Sequence, residues 1–182
     1  MKYNLHITLA LIILTVMGYG QAQKTQNWPN GQKKVSGAYK YAVPVSASAS
    51  KEDLSKLSSQ IIKVGKWQYW FENGQLQAEE NYTDGTRTGV QKSWYSNGTH
   101  ESEIDLNGLK AFYWFSNGQK QSEGAILNDG TPVGLWVAWH ENGVKNSEGT
   151  YDQVGKKQGT WKFWDNKGQL TGQQNYVNGV LH

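Results

Sequence analysis

Aromatic and polar positions recur along this chain with a period far longer than that of a helix or a strand. The glycine of each Asn-Gly pair serves as a reference: Gly31, Gly74, Gly98, Gly118 and Gly143, followed by Gly168 in the variant Asn166-Lys167-Gly168. After Gly74 these anchors stand 20 to 25 residues apart, and the interval from Gly31 to Gly74 is close to two periods. Four residues before the last five anchors stands tryptophan every time: Trp70, Trp94, Trp114, Trp139 and Trp164. Seven before stand Trp67, Gln91, Ala111, Trp136 and Trp161; three before stand Phe71, Tyr95, Phe115, His140 and Asp165. Five after the six anchors stand Ser36, Glu79, Glu103, Glu123, Glu148 and Gln173, and eight after stand Tyr39, Tyr82, Leu106, Ile126, Tyr151 and Tyr176. Self-similarity at a fixed spacing of this size is the signature of a repeat architecture.

Each repeat holds a second glycine, at Gly85, Gly108, Gly130, Gly155 or Gly179. Asn-Gly and Asp-Gly are strong hairpin signals, because a tight hairpin turn wants positive φ at both central residues. The segments between turns are rich in Trp, Tyr, Phe, Val, Thr and Ile, which are strand residues. The pattern therefore predicts an all-β chain, an elongated antiparallel β-meander or solenoid of stacked hairpins with about ten strands after Gly65. The third repeat lacks the four residues that follow Gly85 and Gly130 in their repeats. That deletion falls in a turn and so keeps the in-and-out alternation of the strands. Residues 27–39 read as half a repeat. Ser46–Ser50 reads as a small-residue linker. Residues 52–61 read as a short helix with Leu54, Leu57 and Ile61 on one face, against a rival reading of Ile61–Val64 as the lead-in to a strand.

A lone hairpin cannot bury its apolar face, so the repeats must share a core. The tryptophans four before the anchors (Trp70, Trp94, Trp114, Trp139, Trp164), with Tyr82, Tyr151 and Tyr176, are the simplest core. The columns at minus seven and minus four differ by an odd number and face opposite sides of a flat strand. Either a twist brings both to the core, or one aromatic face lies outwards. On the second reading Trp67, Tyr69, Phe71, Tyr95, Tyr113, Phe115, Trp136, Trp161 and Phe163 form a binding surface. The Glu79, Glu103, Glu123 and Glu148 column reads as a solvated face, and Lys33, Lys120 and Lys145 as edge charges that discourage strand addition.

Composition narrows the classes. Residues Leu5–Met17 are apolar apart from His6, Thr8 and Thr15, which is too short for a membrane span and suits a secretory leader ending at Ala22. The organisation is then 1–22 leader, 23–64 partial repeat with linker or short helix, and 65–182 five repeats, with the mature protein periplasmic, secreted or envelope-associated and without a membrane span. With 18 Lys+Arg against 15 Asp+Glu, net charge is +3, which does not fit a nucleic-acid binder. The absence of cysteine excludes disulfides, thiolate metal sites and a lipidated cysteine. No phosphate-cradling glycine loop, His-x-x-x-His pair or Gly-x-Ser-x-Gly elbow is present. The expectation is a protein without catalytic, metal or cofactor residues, binding a protein or else a glycan or membrane surface, in an oligomeric state the sequence leaves open.

The unit Gly-x-Trp-x-x-Trp-Phe/Tyr-x-Asn-Gly-x-x-x-x-Glu-x-x-Tyr, clearest in 65–82, 134–151 and 159–176, resembles the bacterial variant of the MORN (membrane occupation and recognition nexus) repeat. The resemblance implies a hairpin sheet used for binding, without enzymatic activity. Bacterial proteins with such arrays are often labelled antitoxins of toxin–antitoxin systems. The aromatic-Gly hairpins are also similar to choline- and glucan-binding repeats, whose aromatics form cages around a cation or a sugar.

Overall fold

The computed structural model describes residues 21–42, 50, 52 and 61–182. The expected leader, the linker and the expected helix therefore lie outside the described residues, apart from their ends. Glu52 has helical backbone, while Ile61 opens a strand, as the rival reading had it. All other regular structure among the described residues is β, and the chain divides into two compact units between Thr88 and Gly89.

In the first unit β1 (Ala22–Asn27), β2 (Lys33–Tyr41), β3 (Ile61–Trp70) and β4 (Leu76–Thr83) pair antiparallel in chain order, and β5 (Thr86–Arg87) pairs with β4. In the second unit the same serial pairing runs through β6 (Val90–Trp94), β7 (His100–Asp105), β8 (Lys110–Trp114), β9 (Lys120–Ile126), β10 (Pro132–Trp139), β11 (Lys145–Tyr151), β12 (Lys157–Trp164), β13 (Leu170–Val177) and β14 (Val180–Leu181). Each unit is thus a run of stacked hairpins, as the repeat predicts.

The anchor turns differ in detail from expectation. In each, the anchor N–H donates to the carbonyl three residues back, as in Gly74 to Phe71 at 3.0 Å, and only the glycine takes positive φ (85° at Gly74). These are type I turns closed by a left-handed glycine, so the preceding Asn is free to use its side chain. Asn117 shows how: its Oδ1 accepts from the Gln119 N–H at 2.9 Å, and its Nδ2 donates to the Glu141 carbonyl of the next turn at 2.9 Å. Asn30, Asn97 and Asn142 make the same two contacts, with Glu72, Ser116 and Asn166 as the next carbonyls. The expected pair of positive φ values occurs instead at Asp84-Gly85 and Asn178-Gly179, the two-residue turns that close β4–β5 and β13–β14.

Glycine is also required nine residues before most anchors, where a bulge needs positive φ. A methyl group on Gly159 (φ 69°) would meet nothing within 4 Å, and the same is true of Gly172, whose φ is ordinary. Gly159→Ala is therefore expected to cost about 1 kcal/mol from backbone strain alone. Gly172→Ala should be neutral or gain up to about 1 kcal/mol by restricting the unfolded chain. Urea midpoints of the two variants check this, and equal midpoints would refute it.

A one-layer sheet buries little. Among the described residues the buried apolar side chains are Val35, Val64 and Trp67 in the first unit, and Ala111, Ile126, Val133 and Trp161 in the second. The buried aromatic column is the one at minus seven: Trp67 and Trp161 are 2% and 5% exposed, and Ala111 and Gln91 of that column are buried too. The tryptophans at minus four are only half-buried. This corrects the expected core. Pairing along each first strand is unbroken from minus seven to minus five, so the two columns do face opposite sides.

The minus-seven column is buried because of its neighbours. A Cβ on Gly37, Gly124 or Gly149 would overlap the indole of Trp67, Trp136 or Trp161 respectively. Each indole lies flat on the glycine of the preceding strand and donates its Nε1–H to the next carbonyl, at Ala38 (2.7 Å), Ala125 (2.9 Å) or Thr150 (3.2 Å). Those glycines stand six residues after an anchor. Where that position is large, as Ile104, its partner at minus seven is the small Ala111. Size is conserved across the pair rather than within either column.

Candidate binding surface

Two aromatic faces result, one carrying the seated indoles and the other the half-buried tryptophan ladder. On the seat face of the first unit, Lys63 stands eleven residues before its anchor. Its ammonium lies 4.8, 5.2 and 4.7 Å from the ring centroids of Trp67, Tyr69 and Tyr82. It donates to the hydroxyls of Tyr69 and Tyr82 and approaches Glu80 at 3.6 Å. Glu80 also accepts from Tyr82 and pairs with Arg87. Burial would raise the Glu80 pKa, but the hydrogen bonds from Tyr82 and Tyr69, with the charges of Arg87 and Lys63, hold it below the ordinary value.

The second unit repeats part of this chemistry. Lys157, again eleven before its anchor, lies 4.4, 5.8 and 4.9 Å from the rings of Trp161, Phe163 and Tyr176. Tyr151 sits edge-on between Trp136 and Trp161, and Tyr113 stacks on Trp136 at 6.4 Å.

On the ladder face, the residue two after an anchor covers the tryptophan of the next repeat. Lys33 lies 5.5 Å from the Trp70 ring, Lys120 lies 5.4 Å from Trp139 and Lys145 lies 5.2 Å from Trp164. A bulge after every anchor turn brings these side chains to the tryptophan side. His100 takes that place in its repeat, stacked on Trp114 at 4.3 Å with Trp94 on its other side at 5.6 Å. Its Nε2 is buried without a hydrogen-bond partner, and burial pushes its pKa down, favouring neutral imidazole. The glutamates are paired with lysines: Lys66–Glu79, Lys92–Glu103, Lys120–Glu123 and Lys145–Glu148. The lysines read as edge charges are thus aromatic covers, and the acidic column is half of an ion-pair lattice.

The structure therefore splits the expected binding surface. Trp67 and Trp161 are buried and withdrawn from it. Tyr69, Tyr113, Trp136 and Phe163 remain on the seat face, half-buried, with Tyr82, Tyr151 and Tyr176, which had been read as core. Phe71, Tyr95 and Phe115 leave that face, because the strand ends one residue earlier and the turn starts with them. The Tyr95 hydroxyl instead donates to the Trp114 carbonyl at 2.8 Å, as the Trp28 indole does to that of Trp70 at 3.0 Å. Sequence reasoning missed Lys63, Lys157, Glu80, Arg87 and His100; the recurrence of lysine eleven before Gly74 and Gly168 was the available signal.

Among the described residues no three His, Cys, Asp or Glu side chains converge as a metal site would require, and no helix is long and apolar enough to cross a membrane. The contacts that recur on both faces are cation–π, ion-pair and stacking contacts. No curated protein matches the sequence. Residues 63–84, 87–107, 132–153 and 157–178 match the MORN repeat variant, while the short repeat between the second and third matches has the same hairpin and bulge. With that agreement of sequence unit and hairpin geometry, the chain carries repeats of the MORN variant type.

Proposed function

We propose that this chain is an exported, non-catalytic module that binds a protein through its aromatic faces. The observation that carries the reading is that each unit presents half-buried Trp and Tyr side chains already fixed by rings, ion pairs or hydrogen bonds. Large aromatics held in place supply contact area at little entropy cost on binding, and Trp, Tyr and Arg are the residue types that dominate protein hot spots. Export rests on the apolar run Leu5–Met17 and the small residues Gly20 and Ala22. An antitoxin-like role is the finer form of this reading, with an exported toxin as partner.

The reading is tested by sedimenting residues 23–182 with the insoluble cell-envelope fraction, before and after protease treatment of that fraction. Binding abolished by protease is the expected result. Binding that survives would replace the protein partner by a glycan or a lipid head group. No binding to either fraction would remove the envelope and leave a released partner.

A further inference from the structure

Two ring pairs on the seat face of the second unit have nearly the same geometry but different company. Trp161 and Tyr176 stand 6.4 Å apart at 76°, and the ammonium of Lys157 lies 4.4 and 4.9 Å from their centroids. Trp136 and Tyr151 stand 6.3 Å apart at 90°. The residues that correspond to Lys157 and Phe163 in that repeat are Pro132 and Ala138, both smaller and uncharged. Exposure follows the difference. Trp67 and Trp161, each covered by its own lysine, are buried, whereas Trp136 is only half-buried although it is seated on glycine in the same way. Gly124 lies against the Trp136 indole, and the Tyr113 ring stands 6.4 Å from it at 29°.

We propose that the Trp136–Tyr151 pair is a binding site for a lysine side chain of the protein partner, occupying the place that Lys157 occupies against Trp161 and Tyr176. This rests on the protein-binding reading above. The chain itself shows the ligand chemistry: a primary ammonium on an alkyl stem, the stem covering the indole and the charge facing two π-systems. A partner's lysine keeps part of its hydration in a site that is not fully buried and gains both contacts. Pro132 contributes no competing charge.

The test follows the indole N–H signals of the full chain by NMR during titration with n-butylammonium, with n-butanol and tetramethylammonium as comparisons. The expected result is a saturable shift at Trp136 with n-butylammonium, at least several-fold weaker with n-butanol. Trp67 and Trp161, covered by their own lysines, should not move. Pro132→Lys supplies an internal ammonium and should abolish the Trp136 response while leaving the thermal midpoint equal or higher, which separates blockage from misfolding. Lys157→Ala should add a response at Trp161. Equal shifts with butanol, no shift at Trp136, or an unchanged response in Pro132→Lys would overturn the site. A stronger response to tetramethylammonium than to butylammonium would overturn the lysine assignment in favour of a quaternary head group. Envelope binding that survives protease while the butylammonium response persists would instead refute the protein partner and leave the ammonium site standing.

Discussion

Trp161→Ala is expected to destabilise the chain by about 3–5 kcal/mol, the usual cost of emptying a buried aromatic position. Gly149→Ile, at an ordinary φ, should cost about 1–3 kcal/mol by driving a branched side chain into the same indole. Their combination reproduces the small-on-large arrangement of Ala111 against Ile104 and should fall short of the summed loss by a coupling of about 1–3 kcal/mol. Urea unfolding of the wild type, both single variants and the double variant completes the cycle. Additive losses would mean that the indole is held by its hydrogen bond to the Thr150 carbonyl and not by its seat.

Glu80→Gln is expected to lower stability at neutral pH by about 1.5–3 kcal/mol, the range for a hydrogen bond to a charged group. The lower end is the better expectation, because Arg87 is 58% exposed and solvent screens its charge. The pH dependence has a definite sign. The folded Glu80 pKa is below its unfolded value of 4.5, so the unfolded chain takes up the proton first as pH falls. The stabilisation is complete above that value and is lost as pH drops through the lower, folded one. Glu80→Gln should therefore flatten the acid limb of the stability curve while lowering its plateau. A variant whose curve runs parallel to the wild type down to low pH would show that Glu80 contributes no such linkage.

The hairpins were legible because their signals are local. An Asn-Gly turn, a strand of Trp, Tyr and Thr, and a second glycine each act within a few residues, and the deletion in the third repeat fell where local rules allow it. The buried face was not legible, because it depends on a neighbouring repeat. Trp67 is core and Trp70 is not, and the reason is Gly37, thirty residues earlier and paired only once the strands have a register. Reading Trp67 against Gly37, Trp136 against Gly124 and Ala111 against Ile104 across repeats would have shown it. Parity counting failed at Phe71, Tyr95 and Phe115 for a simpler reason: alternation ends with the strand, one residue before them. The lysine-lined rings were overlooked because Lys63 and Lys157 precede the motif, and a lone lysine on a strand ordinarily signals only a solvated edge.

The turn asparagines have a consequence for how the protein ages. Asn followed by Gly is the peptide sequence most open to spontaneous deamidation, since the glycine nitrogen can attack the side-chain carbonyl. Here both ends of the carboxamide are engaged at Asn30, Asn97, Asn117 and Asn142, the oxygen by its own turn and the nitrogen by the next. Folding thus restrains the chemistry that the unfolded chain would undergo. Once a rung does hydrolyse, a carboxylate faces the neighbouring carbonyl, an acceptor against an acceptor, and that turn loses its tie to the next. Damage would then begin at turns that have locally opened and would pass along the row of turns, so the chemical lifetime of the protein is set by its least protected hairpin.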